Sequence, residues 1–503
     1  MNRIKNLISK NLYNRGILQL LILLVILFLY LYFPNNNSSW DGYVYAAQVK
    51  YNVDMFQPHH LLYNPLLKVF YEFISIFNDR IDILLAGKWM NAIFQGFNLL
   101  IAAQILRLLK VSQKDIFLLI AIIAFSFNPW RFGTENEAYI VPITFSMLGT
   151  WAFLKYLNVN NVKWLMLTSL FAAVACLFHQ IHFFWWLGLG IGVLLNTRNI
   201  KHLVIYSIPA IVVPLVYVLV IRFELHQDIT FTNTFKFVLQ DYYSGAASAE
   251  FSWKGILFIF ISSVRTFFQI HPVIIAVISK SFLFIIPLII SLLLIFNIVL
   301  KIFKKQAFYK KMNSHIKFRN ALIIIMALQL AMAYYSHGNV EFMVMIPLLL
   351  ILILSLTITF KTNFLINIAL LLFIWNFFFG ILPYHLYTFH DDKKLVDYII
   401  ENPEETYIVK NRNIEAKYFY ATGRDNQPNI LLQEHLNPLI VDSLLIQHNF
   451  LITDVIDYAE ILNREKLMQT VNSTSLFKKE IKKEVLFTYD GLFGKTPVYK
   501  VVK

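Results

Sequence analysis

Asp41 stands in the stretch Ser38-Ser39-Trp40-Asp41-Gly42-Tyr43-Val44-Tyr45, shortly after a hydrophobic run that ends at Phe33. A carboxylate there is placed to take a proton from a hydroxyl and make it a nucleophile. Downstream lie Asp54 and Gln57-Pro58-His59-His60-Leu61-Leu62-Tyr63-Asn64-Pro65-Leu66, an amphipathic segment with two adjacent imidazoles. Three further groups have similar chemistry: Arg131 with Glu135, Glu137 and Tyr139; His179 with His182; and His337 with Glu341. Acids beside histidines can serve as a general base, hold a metal or hydrogen-bond sugar hydroxyls, and Arg or His can offset an anion.

Each group also has a plainer reading. Asp41 would serve as a helix N-cap, and Glu135 and Glu137 as solvated loop charges. His179 and His182, beside Trp185 and Trp186, would be interfacial anchors, and His337 and Glu341 helix caps. Those readings leave unexplained why the groups converge on one side of a membrane. The connections assigned to the opposite side hold almost no acids or histidines besides Asp115, His202 and His315.

The sides follow from composition and charge. The 503 residues are 58% hydrophobic and 15% charged, and the mean hydropathy is +0.58. That describes a polytopic α-helical membrane protein. Apolar runs at roughly 17–33, 83–106, 115–130, 138–157, 163–180, 181–196, 202–222, 281–300, 319–336, 340–360 and 363–383 predict about eleven transmembrane helices. Arg3, Lys5, Lys10 and Arg15 precede the first run, which lacks a small-residue cleavage site and reads as a signal anchor with a cytoplasmic N-terminus. Alternate connections carry Arg107/Lys110/Lys114, Lys155/Lys163, Arg198/Lys201 and the dense run Lys301, Lys304, Lys305, Lys310, Lys311, Lys317, Arg319. The net charge of +14 is therefore the positive-inside pattern and implies no nucleic-acid partner. The lone Cys176 permits no internal disulfide.

Residues 255–279 are apolar, but Arg265 and His271-Pro272 interrupt them, and counting them as a span would put the Lys-rich 301–319 loop outside. They read as an interfacial or re-entrant segment on the outer face. After Pro383 the apolar runs stop. Short β-type runs (Thr406–Val409, Asn429–Leu432, Asn449–Thr453, Val498–Val502) alternate with helical patterns at Lys393–Ile400 and Tyr458–Gln469. The expected organisation is a transmembrane domain over 1–383, with an outer loop at 34–82 bearing juxtamembrane helices. A small C-terminal α/β domain over 384–503 lies outside the membrane.

These motifs resemble the GT-C superfamily of membrane glycosyltransferases, near its protein O-mannosyltransferase and aminoarabinose-transferase branches. Trp40-Asp41-Gly42-Tyr43 matches the acid of the first outer loop, and His59 to Leu66 matches the juxtamembrane helix. Arg131 to Tyr139 and His179-Gln180-Ile181-His182 match the next two outer loops. The likeness covers the first seven spans. It departs where Gly42 follows Asp41 in place of a second acid, and where Asn339-Val340-Glu341-Phe342 replaces a late Arg.

The resemblance implies transfer of a sugar from a polyprenyl-phosphate donor to a lipid, glycan or protein acceptor at the outer face of a bacterial cytoplasmic (inner) membrane. It implies Asp41 as general base, with His59, His60, Tyr63, Arg131, Glu135, Glu137, His179, His182, Arg265, His337 and Glu341 as substrate-binding residues. Phosphate would rest on His60, Arg131, Arg265 or His337. No cofactor is required, although a divalent metal on Asp41 with Glu135 or Glu137 is compatible. The rival reading is a transporter or flippase for a lipid-linked or small polar substrate, which would place its ionisable residues in mid-helix.

Overall fold

The computed structural model describes residues 20–240, 253–270, 273–310, 315–425, 427, 429–455, 477 and 481–502. The basic N-terminal residues, His271-Pro272, Lys311 and the expected helix at Tyr458–Gln469 lie outside the described residues. Contacts divide the chain into two units. One comprises Met1–Asn35 with Asp54–Leu382, the other Asn36–Val53 with Pro383–Lys503.

The first unit is helical. Its leading helices are α1 (Leu20–Tyr32), α3 (Tyr63–Ser75), α4 (Ile83–Leu108), α5 (Gln113–Phe125), α6 (Phe127–Gly133), α7 (Ile140–Val159), α8 (Val162–Phe178) and α9 (Phe183–Thr197). Helix α2 (Trp40–Tyr51) belongs to the second unit. Further helices follow at Ile200–Phe223, Phe282–Phe303, Ile316–Tyr335, Val340–Thr357 and Thr362–Leu386.

Each of the eleven expected spans overlaps helix among the described residues, yet by length and composition only seven qualify as crossings there. An eighth qualifies if α5 and α6, bent by 67° at Ser126, form one span. Helices α8 and α9 have 17 and 15 residues, about 26 and 23 Å of rise, short of a full hydrocarbon core. The 255–279 stretch breaks into Trp253–Phe267 and Val273–Lys280, neither long enough to cross alone. The chain is an integral membrane protein whose core is Leu, Ile, Phe and Ala at helix interfaces. Buried Trp130 stacks on Tyr30 and Phe373 in that core.

Two glycines illustrate how close the packing is. A Cβ at Gly87 on α4 would meet Asn136 Oδ1 at 2.0 Å, so only glycine admits the loop after α6. Gly338 has φ +70°, and a Cβ there would come within 2.9 Å of the Phe258 backbone.

In the second unit, β3 (Tyr407–Val409), β4 (Ile430–Leu432), β5 (Phe450–Thr453), β6 (Lys482–Tyr489) and β7 (Thr496–Val502) form a sheet of order β4-β3-β5-β7-β6. β3 runs parallel to both β4 and β5, and β7 is antiparallel to β5 and β6. Outside this sheet, β1 (Phe308–Lys310) pairs antiparallel with β2 (Ile358–Phe360) in the first unit.

Helix α2 packs on the helix Asn413–Thr422: the Tyr51 hydroxyl donates to Tyr420 O (3.2 Å) and Ala421 O (2.9 Å), and Lys50 Nζ to Tyr420 O (3.0 Å). The Asn37 amide donates to Tyr384 O (2.9 Å) and Tyr387 O (2.8 Å). Residues 36–53, expected in the outer loop 34–82 of the transmembrane domain, are thus built into the C-terminal unit.

Candidate functional site

Helix α4 carries Lys88, Asn91, Gln95 and Asn98 at spacings of three and four, which puts them on one face. All four are buried despite their polarity. Asn91 Nδ2 donates to Glu135 O (2.7 Å) and Glu137 O (2.8 Å) and approaches the Tyr63 hydroxyl (3.2 Å). That hydroxyl donates to Asn136 Oδ1 at 2.8 Å. Burial, then the Glu137 carboxylate, hold the Tyr63 hydroxyl well above its ordinary pKa, so it remains a donor. Glu135 Oε1 accepts from Asn136 N (2.9 Å), and Glu135 Oε2 accepts from Asn35 Nδ2. Lys88 Nζ donates to Asn35 O at 2.5 Å.

Glu135 and Glu137 are 2% and 1% exposed, which rules out the solvated-loop reading. The segment Thr134–Tyr139 is a buried loop pinned to α4, because every polar group taken from water there needs a partner.

A second cluster adjoins it. The His59 and His60 rings meet edge-on with centroids 4.2 Å apart, and His60 lies 6.1 Å from His179. His179 in turn lies 5.0 Å from Tyr139, whose hydroxyl donates to Glu341 Oε2 at 3.2 Å. Asn339 Nδ2 donates to the same oxygen at 3.0 Å. The structure therefore joins the His59/His60, Tyr139, His179 and Glu341 groups in one row.

His179 Nδ1 caps the turn Gln180–His182 by accepting from Ile181 N (3.3 Å), which leaves the ring proton on Nε2. His182 Nδ1 pairs with Ser146 Oγ at 2.7 Å, and its ring stacks on Trp185. Burial first, then His59 and His179, depress the His60 pKa well below the ordinary histidine value, so its ring is neutral.

The remaining expected residues lie on other elements. Arg131 is half-buried on α6, its guanidinium 5.2 Å from the Phe132 ring. Arg265 is half-exposed one turn after Ser262, whose hydroxyl donates to Gly338 O at 2.6 Å. His337 occupies the left-handed position after the helix Ile316–Tyr335, at φ 53°. Asp41 belongs to the second unit. It is half-buried in the first turn of α2, whose N-cap is Ser39: Ser39 Oγ accepts from Gly42 N at 3.0 Å. The N-cap reading of Asp41 therefore fails. No group of three or more His, Cys, Asp or Glu side chains among the described residues is arranged to hold a metal ion.

The α4 stripe escaped sequence reasoning, although its signal was the 3–4 spacing of Lys88, Asn91, Gln95 and Asn98 inside a hydrophobic run. Also unforeseen is an apolar cavity of about 520 Å³, bounded by Cys176, Phe184, Trp186, Val213 and Tyr217. It reaches Gln180 and Ile181, in the turn beside His179. Gln180 Nε2 donates to Pro58 O at 3.0 Å, which ties this end of the cavity to the His59/His60 segment.

No protein family and no curated protein matches this chain. Among solved structures it is similar to the crystal structure of ArnT from Cupriavidus metallidurans in the apo state, at 10% identity and a TM-score of 0.41. The match covers 97% of this chain and 98% of that one, and so distant a likeness fixes neither fold nor chemistry.

Proposed function

We propose that this protein is an integral-membrane glycosyltransferase that moves a sugar from a polyprenyl-phosphate donor to an acceptor at the outer face, with Asp41 as general base. The observation that carries the reading is the apolar cavity of about 520 Å³ ending at the Gln180–His182 turn. Such a cavity suits an isoprenoid tail, and the adjoining His59, His60 and His179 suit the phosphate at its end. These imidazoles offer N–H donors, and an approaching anion would raise their proton affinity, so phosphate binding and proton uptake would be coupled. Arg131, Arg265 and His337 remain the further phosphate partners of this reading.

In an inverting displacement one carboxylate suffices, because the lipid phosphate departs as a stabilised anion. On this reading the chain crosses eleven times from a cytoplasmic N-terminus, with 255–279 interfacial, and Asp41 and the C-terminal unit would both lie outside. The amides of α4 serve packing on this reading: Asn91 donates to Glu135 O and Glu137 O, and Asn98 donates to Ile140 O and accepts from the Thr144 hydroxyl.

The test is transfer from polyprenyl-phosphate sugars by the protein in lipid nanodiscs, with wild type against Asp41→Asn. Loss of about 10²–10⁴-fold in rate with unchanged thermal stability is expected. Near-normal transfer by the variant would remove Asp41 from the mechanism.

A further inference from the structure

A cavity of about 360 Å³ lies wholly within the second unit. Its wall includes Trp40 from the start of α2, Arg412 and Glu415 at the start of the helix Asn413–Thr422, and Arg424, Asp425 and Gln427 after that helix ends. The volume falls in the range of small-ligand sites, about 300–1,000 Å³. Arg412 Cζ stands 3.8 Å from the centroid of the Trp40 ring, a cation–π clamp. It fixes the plane of the guanidinium while leaving its N–H edge able to donate.

The lining carries two arginines and two carboxylates, so its formal charges cancel. An anionic ligand would face Glu415 and Asp425, and a cationic one would face Arg412 and Arg424. The hydrogen-bonding inventory is mixed: guanidinium donors, carboxylate acceptors and a Gln amide that does both. Hydroxyl groups, each able to donate and accept, satisfy all three kinds at once, and Trp40 supplies an aromatic wall for the apolar edge of a ring.

We propose that this cavity binds a neutral, hydroxyl-rich ring, a sugar unit, through Arg412, Glu415, Arg424, Asp425 and Gln427 beside Trp40. Burial raises the Glu415 pKa against the opposing pull of Arg412, as befits a carboxylate drawn partly out of water beside a binding cleft. That this sugar belongs to the acceptor rests on the glycosyl-transfer reading above, because Trp40 immediately precedes Asp41 on α2.

The experiment uses the full chain in nanodiscs. Binding of N-acetylglucosamine, methyl α-mannoside, glucuronate and glucosamine is measured by saturation-transfer NMR and calorimetry. At least one neutral sugar is expected to bind more tightly than either charged one. Glu415→Gln and Arg424→Gln should each weaken it about tenfold, the effect of losing one charge-assisted hydrogen bond. Trp40→Phe should weaken binding less than either polar variant.

The proposal is overturned if neither neutral sugar binds, if glucuronate or glucosamine binds more tightly, or if both polar variants bind as wild type does. Sugar binding of the expected pattern without any consumption of polyprenyl-phosphate sugar would keep this site and sink the transfer reading. Transfer whose acceptor KM is unmoved in Glu415→Gln and Arg424→Gln would do the reverse.

Discussion

Replacing Asn91 by Leu tests whether α4 holds the Thr134–Tyr139 loop. The side chain is fully buried, and Leu nearly matches its volume, so cavity formation contributes little. The variant loses the donors to Glu135 O at 2.7 Å and Glu137 O at 2.8 Å, and both carbonyls stay behind in a buried loop. Each carbonyl left unpaired costs about 1–3 kcal/mol. Against this, Asn91 Oδ1 has no hydrogen-bond partner among the described residues, and removing it recovers roughly one such penalty.

The net expectation is a loss of about 2 kcal/mol, above the ~0.6 kcal/mol typical of polar contacts between membrane helices. The third contact, 3.2 Å to the Tyr63 hydroxyl, puts both side chains in one network, so Asn91→Leu with Tyr63→Phe should depart from additivity. Reversible denaturation in mixed micelles reads the stability, and limited proteolysis reports whether the loop becomes accessible. A change under about 0.5 kcal/mol with the loop still protected would refute the assignment of Asn91 as its anchor.

Other consequences can be measured separately. His60 is held neutral in the folded protein, so between its depressed value and the unfolded value of about 6.5 the unfolded chain binds a proton that the folded chain does not. Its contribution is present above pH ~6.5 and is lost as pH falls; thermal stability should decline on acidification, and His60→Gln should flatten that decline. Gly338→Ala puts a Cβ 2.9 Å from the Phe258 carbonyl carbon at φ +70°, and should cost at least about 1 kcal/mol in the same denaturation assay. A topology reporter fused after Lys503 should be active outside; activity only in the cytoplasm would mean that the crossing count is off by one and that 255–279 must be recounted.

The helical spans were legible because an apolar run records its own burial in lipid. Four of the second unit's five strands were legible because short apolar runs between polar turns are local signals, whereas β6 (Lys482–Tyr489), whose first three residues are Lys482, Lys483 and Glu484, was not. The fate of Glu135 was not, because its partners Asn35 and Asn91 stand 100 and 44 residues away. The same holds for residues 36–53. Trp40 finds Arg412, and Tyr51 finds Ala421 370 residues on, and no window of sequence holds both ends of such a contact. The α4 stripe differs: its period was visible, but reading the run only for mean apolarity concealed it. A Lys and three amides on one face of a hydrophobic helix mark the side that meets protein.

Under the proposed transfer reaction, the hydrogen bonds argue against two of the carboxylates as the base. Both oxygens of Glu135 are engaged, one by Asn136 N and one by the Asn35 amide, and both bonds shape the loop itself. Glu341 Oε2 already accepts from Tyr139 and Asn339, and its backbone N–H donates to Asn339 Oδ1. Using either acid to take a proton would draw it out of the contacts that shape its own segment. Asp41 lies in the first turn of a helix whose cap is Ser39, and the dipole there keeps its carboxylate ionised. Glu135→Gln should therefore lower stability and transfer together, whereas Asp41→Asn should lower transfer alone. If Glu135→Gln unfolds at the wild-type denaturant concentration and still loses transfer by two orders of magnitude, the base belongs at Glu135 and the assignment to Asp41 is wrong.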